Sequence, residues 1–161
     1  MKTKDILLVD DDIYYLHLLS MLLKSEGFDV STTSDGIKAL ETLKHNKFKM
    51  MITDFNMPGI NGVELATKVK EQRSDMHIAL ATGEDLSEIA EAAANAGISK
   101  LFSKPIDVQR FLAVIRSLLG AESACSTNSS LPKQSAAKAG ADVKRYDKNR
   151  HVASEYVEVG L

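Results

Sequence analysis

Five short apolar runs punctuate residues 1–120, and each is followed by a stretch in which apolar residues recur every three or four positions. The first run, residues 5–10, carries Ile6-Leu7-Leu8-Val9. It leads into a helix over about 13–26 with Ile13, Leu16, Leu19 and Leu23 on one face. Asp11 or Asp12 is placed to cap that helix and Gly27 to stop it. Residues 28–33 predict a second strand, in which Asp29 and Ser31 alternate with apolar positions as at a sheet edge. Ser34 and Asp35 offer caps for a helix to about Lys44, with Ile37, Leu40 and Leu43 inward. Residues 49–53 predict the central strand. After Pro58-Gly59, Asn61 and Glu64 have capping-box spacing ahead of a helix whose face carries Leu65, Ala66 and Val69. Residues 76–82 predict a fourth strand, and 84–96 an Ala-rich helix anchored only by Leu86, Ile89 and Ala93, with acids toward its N-terminal half. Gly97 ends it, 98–102 predict a fifth strand, and Pro105 suits the first position of a last helix reaching about Leu119. That helix carries Val108, Phe111, Leu112, Ile115 and Leu118. Five strand–helix pairs, each crossover long enough for a right-handed parallel unit, predict one three-layer α/β domain over 1–120.

The pattern fails at Gly120. Residues 121–161 are rich in Ala, Ser, Thr, Asn and Lys, which predicts a flexible or disordered tail. A short basic run, Lys144, Arg145, Lys148, Arg150 and His151, precedes Val152, Tyr156, Val157 and Val159. It reads as a solvated tail or, more sharply, as a short docking peptide with too little apolar mass for an output domain. The formal net charge of −2 gives no global reason to expect nucleic-acid or lipid binding. No helix-turn-helix pattern is present either. The lone cysteine, Cys125, excludes an intrachain disulfide framework and reads as a surface thiol. No apolar run approaches the roughly 18 residues of a membrane span, and acids interrupt the N-terminal apolar run, so cytoplasmic residence is the default expectation.

The chemistry gathers where the runs stop. The first strand ends in Asp10-Asp11-Asp12, the central one in Asp54 before Pro58-Gly59, the fourth in Thr82, and the fifth in Ser103-Lys104-Pro105. Parallel strands bring these ends to one edge. Carboxylates crowded there repel one another, which shifts the protonation of one of them or calls for a hard divalent cation. Lys104 discriminates among the uses of such acids. Mg2+, an ammonium and a hydroxyl together match a phosphoryl group with three anionic oxygens. Asp54 is the expected acceptor, its Oδ attacking phosphorus in line to give a mixed anhydride. Asp11 and Asp10 are expected to bind Mg2+, with the backbone carbonyl of Asn56 as a further ligand. Lys104 is then expected on the phosphoryl oxygens, with Thr82 donating a hydrogen bond. Asp12 reads as a helix cap, His17, His45 and His77 lack metal-like spacing, and Met50, Met51 and Met57 read as packing.

These residues carry a resemblance. Asp10-Asp11, Asp54 with Met57-Pro58-Gly59, Thr82, and Lys104-Pro105, in that order, resemble the receiver domain of bacterial two-component response regulators, including the single-domain chemotaxis type. Each feature alone is weak; the four in sequence over residues 4–119 are specific. The resemblance implies a flavodoxin-like (βα)5 sandwich of strand order 2-1-3-4-5. It also implies phosphotransfer to Asp54 from a histidine kinase or histidine phosphotransfer protein, and a shift between two conformations through Thr82 and the face of the fourth helix, fifth strand and fifth helix, which is also a possible homodimer surface. Residues two beyond the acceptor and two beyond the switch hydroxyl tune dephosphorylation in the family; here they are Asn56 and Glu84. Two positions depart from its pattern. Leu101 stands where the switch aromatic is usual, with Phe102 beside it, and Ile106 stands where Phe is common after Lys-Pro.

The leading expectation is therefore a phosphoaccepting signalling module acting on a partner protein, with chemistry limited to its own phosphorylation and dephosphorylation. A Mg2+-dependent phosphatase of small phosphomonoesters is the enzymatic alternative. It would need an acid or base beside the nucleophile and a cap over the substrate; Asn56 is not an acid, and no insertion is long enough for a cap. A constitutive interaction module with little phosphate dependence is the third reading.

Overall fold

The computed structural model describes residues 3–120, so the 121–161 tail, with its basic run and Cys125, lies outside the described residues. Strand and helix alternate throughout: β1 (Thr3–Val9), α1 (Ile13–Ser25), β2 (Val30–Thr33), α2 (Gly36–His45), β3 (Lys47–Asp54), α3 (Gly62–Gln72), β4 (His77–Thr82), α4 (Leu86–Asn95), β5 (Lys100–Ser103) and α5 (Val108–Leu119). All five strands are parallel, in the order β2-β1-β3-β4-β5, the flavodoxin-like arrangement. Edge position agrees with the polar alternation of β2. The apolar runs of β1, β3 and β4 belong to strands covered on both faces.

Two cores lie on the two faces of this sheet. On one, Leu16, Leu19 and Leu23 of α1 and Phe111, Leu112 and Ile115 of α5 cover Ile6, Leu8, Met50, Ile52, Ala79 and Phe102. On the other, α2, α3 and α4 supply Ala39, Leu43, Leu65, Ala66, Val69, Ile89 and Ala93 against Leu7, Val9, Met51, Ile78, Leu80 and Leu101. Successive strand residues feed opposite cores, as the pleat requires. Phe102 and Phe111 meet edge to face, ring centroids 4.9 Å apart. Among the described residues, no helix is long and apolar enough to cross a membrane.

The helix caps follow the sequence closely, and three expectations on the helices are corrected. The Asp12 side chain accepts from the backbone N–H groups of Tyr14 and Tyr15, Asp35 caps α2, and Asn61 with Glu64 forms the full capping box of α3. Ile13, expected inward, is exposed because the core side of α1 begins with Leu16. Ile37 is exposed too: the sheet side of α2 holds Gly36, Ala39 and Leu43, and a Cβ on Gly36 would meet Ile60 Cγ2 at 2.4 Å. Pro105 does not open α5. It follows a cis Lys104–Pro105 bond, and the helix starts at Val108 because Asp107 supplies the cap, accepting from the Arg110 N–H.

This packing separates two substitutions that periodicity alone treats alike. Phe111→Ala is expected to lower unfolding free energy by about 3–5 kcal/mol, whereas Ile37→Ser is expected to change it by no more than about 0.5 kcal/mol. Denaturant titration of both variants checks the assignment.

Candidate functional site

Register decides what meets at the carboxyl edge. Val9 pairs with Thr53, Asp54 with Ala81, and Thr82 with Ser103. Asp10, Asp54, Thr82 and Lys104 therefore leave the sheet at nearly one level. Asp10, Asp54 and Thr82 are all buried. The backbone N–H of Lys104 donates to the Thr82 carbonyl at 2.7 Å, which fixes the start of the loop that carries the ammonium.

The Lys104 ammonium spans the two acids. Its Nζ lies 2.7 Å from Asp10 Oδ2 and 2.6 Å from Asp54 Oδ1. The remaining oxygens take backbone donors: Asp12 N–H to Asp10 Oδ1 at 2.9 Å, and Asn56 N–H to Asp54 Oδ2 at 2.6 Å. Burial pushes the Asp10 carboxyl above its ordinary value more strongly than Lys104 and the Asp12 N–H pull it down. Burial works against the Lys104 charge as well, but the hydrogen bonds and charges of Asp10 and Asp54 outweigh it, so its pKa is raised. The site sets one partly buried ammonium between two buried acid side chains.

The loops around this triad are tied to one another. Asn56 Nδ2 donates to Glu84 Oε1 at 2.6 Å, joining the loops that follow β3 and β4. The Glu84 N–H donates to Thr82 Oγ1 at 3.0 Å, so that hydroxyl keeps a proton to donate. Leu101 is fully buried in the α2–α4 core, and Phe102 points to the opposite core. Asp11 is exposed and outside the triad. Among the described residues, no group of three or more His, Cys, Asp or Glu side chains is arranged to hold a metal ion. The donor set still fits Mg2+, which usually takes one or two carboxylates and fills its remaining positions with water and phosphate oxygens. Asp10, Asp54 and the Asn56 carbonyl are hard oxygen donors, and the carboxylates outnumber their cation.

Sequence reasoning missed two contributors. A Cβ on Gly62 would lie 2.2 Å from the Asp54 carbonyl oxygen, and the Gly62 N–H donates to the Phe55 carbonyl at 2.9 Å. Only glycine lets α3 press its first turn onto the backbone of Asp54. Tyr15 is the other, its ring centroid 4.2 Å from Lys104 Nζ. The run Asn61-Gly62, a cap followed by glycine, was a legible hint for the first; none marked the second.

A family model, the response regulator receiver domain, matches residues 6–116. The chain belongs to that family. This receiver domain is 33% identical over 124 residues to the transcriptional regulatory protein CpxR homolog of Haemophilus influenzae, an alignment covering 76% of this chain and 53% of that protein. It thus spans about half the length of that relative. A CheY-like receiver domain protein from Methanospirillum hungatei is 28% identical with a TM-score of 0.70, over 74% of this chain and 96% of that one. TrrA of Thermotoga maritima, solved in complex with Mg(2+)-BeF, is 28% identical with a TM-score of 0.66, over 74% of this chain and 100% of that one. Membership in this family assigns the receiver domain to phosphoacceptor signalling in two-component systems.

The close fit at Gly62 sets a contrast between glycines. Gly62→Ala is expected to destabilise the protein by about 1–3 kcal/mol, because backbone rather than a movable side chain blocks the new methyl. A Cβ on Gly83 meets nothing within 4 Å, and Gly83→Ala is expected to be neutral or slightly stabilising. Guanidinium unfolding of the two variants measures the difference.

Proposed function

We propose that Asp54 is the phosphoacceptor of a signalling switch that takes its phosphoryl group from the phosphohistidine of a sensor kinase or phosphotransfer protein. The observation that carries this reading is the single ammonium held between Asp10 and Asp54 at the carboxyl edge of the sheet. A carboxylate oxygen of Asp54 attacks phosphorus as the P–N bond to the donor imidazole breaks; the imidazole leaves with the bonding pair, and an acyl phosphate forms. The Asn56 N–H holds the other oxygen and orients the attack. As charge passes to the phosphoryl oxygens, Lys104 follows it while keeping Asp10 in reach. Asp10, Asp11 and the Asn56 carbonyl, with Asp54 itself, would hold Mg2+, which when bound neutralises phosphoryl oxygens.

The switch reading follows from hydrogen bonding at Thr82. Its hydroxyl accepts from its own loop and retains a proton, so turning toward a phosphoryl on Asp54 draws the β4–α4 loop with it. Helix α4 resists weakly, since Ile89 and Ala93 are its buried residues. Leu101 answers the move by small repacking rather than by an aromatic swing. The Asn56–Glu84 bond ties the loops after β3 and β4 together beside Asp54, and through them it tunes access of hydrolytic water and so the lifetime of the phosphoryl group. Helix α1, which starts just after Asp10–Asp12, exposes Tyr14, Leu18 and Met21, and this apolar surface offers contact to a donor protein.

Incubation of the full chain with a small phosphodonor and Mg2+, followed by intact mass and peptide mapping, tests the assignment. One added phosphoryl is expected on Asp54, absent in Asp54→Ala and strongly reduced without the metal. Labelling at another residue, or none with any donor, rejects it.

A further inference from the structure

The proposed transfer makes Lys104 change partners but leaves Tyr15 unused. Tyr15 lies in the first turn of α1, where its backbone N–H donates to Asp12 Oδ1 at 3.1 Å. The Asp12 N–H in turn donates to Asp10 Oδ1. The turn that carries Tyr15 is thus hung on the same carboxylate that Lys104 grips through its other oxygen. The outcome is an ammonium 4.2 Å from the ring centroid, well inside the roughly 6 Å over which an aromatic face attracts a cation.

The two ends of Tyr15 differ in what they contribute. Its hydroxyl is buried with no hydrogen-bond partner, and burial pushes it up to about 12 against the pull of Lys104, so it stays protonated at neutral pH. The useful part of the side chain is the ring face.

We infer that Tyr15 is a positioning residue for phosphotransfer, its ring face retaining the Lys104 ammonium at the strand ends while that ammonium passes from the Asp54 carboxylate to phosphoryl oxygens. A lysine head is strongly hydrated and its stem flexible, so two carboxylates alone let it leave for water when one of them becomes an acyl phosphate and its oxygen loses its charge. The aromatic face supplies a third contact that does not change during the reaction. The functional half of this inference rests on Asp54 as phosphoacceptor; the geometric half does not.

The test uses the full chain with Tyr15→Phe, Tyr15→Leu, and pentafluorophenylalanine at position 15, which keeps the ring shape and reverses the charge of its face. NMR reads the ring-current shift of the Lys104 Hε protons, and a small acyl phosphate with Mg2+ reads the phosphorylation rate. Tyr15→Phe is expected to keep both the upfield shift and the rate. Tyr15→Leu loses the shift, and it and the fluorinated variant are phosphorylated about 3- to 30-fold more slowly. Because the fluorinated ring fills the same space, its slower rate separates electrostatics from packing. Lys104 protons at ordinary lysine positions in the wild type, or equal rates for the Phe, Leu and fluorinated variants, overturn the inference. A wild type that accepts no phosphoryl group overturns the reading of Asp54 instead, and the proton shift then decides the placement of Lys104 on its own.

Discussion

One ammonium answers two carboxylates at the end of the sheet, and most of the site follows from that shortage. The Coulomb attraction of Lys104 for Asp10 and Asp54 has to offset the removal of three charges from water. It does so only because backbone N–H groups of Asp12 and Asn56 satisfy the remaining carboxylate oxygens. The arrangement leaves an excess negative charge in a buried place, an environment suited to a hard cation. Under the proposed assignment of Asp54, the same ammonium is already in position for the phosphoryl oxygens.

The scaffold makes this constellation rigid where it must be and loose where it can be. Asp10 and Asp54 leave neighbouring strands that are covered on both faces, and Gly62 lets α3 rest on the backbone of Asp54. The β4–α4 side is held differently. Thr82 and Asn56 both bond to Glu84, and α4 buries little beyond Ile89 and Ala93. Asp54 therefore sits between a sheet covered on both faces and a lightly packed helix, and the proposed switch would move the softer side.

Much of this was legible in the sequence because its causes are local. Apolar runs ending in Asp, Thr and Lys give both the strands and the edge they share, and caps such as Asp12, Asp35 and Asn61 declare the helix starts. The strand order came from resemblance, since periodicity does not order strands. What escaped depends on tertiary fit. Ile37 looks as apolar as Leu43, yet Gly36 and Ile60 leave α2 no room to turn it inward. Pro105 looks like a helix opener, but Asp107 supplies the cap. Tyr15 resembles any amphipathic-helix aromatic until Lys104, 89 positions later, is brought over its ring.

Lys104 and Asp54 are either energetically coupled or merely adjacent, and the site works only in the first case. A double-mutant cycle with Asp54→Asn, Lys104→Met and the double variant, measured by denaturant unfolding at neutral pH and low salt, isolates that pair. A coupling free energy above about 1 kcal/mol is predicted, since the ammonium is largely shielded from water between two carboxylates. Single-variant effects that add to within about 0.5 kcal/mol would contradict it.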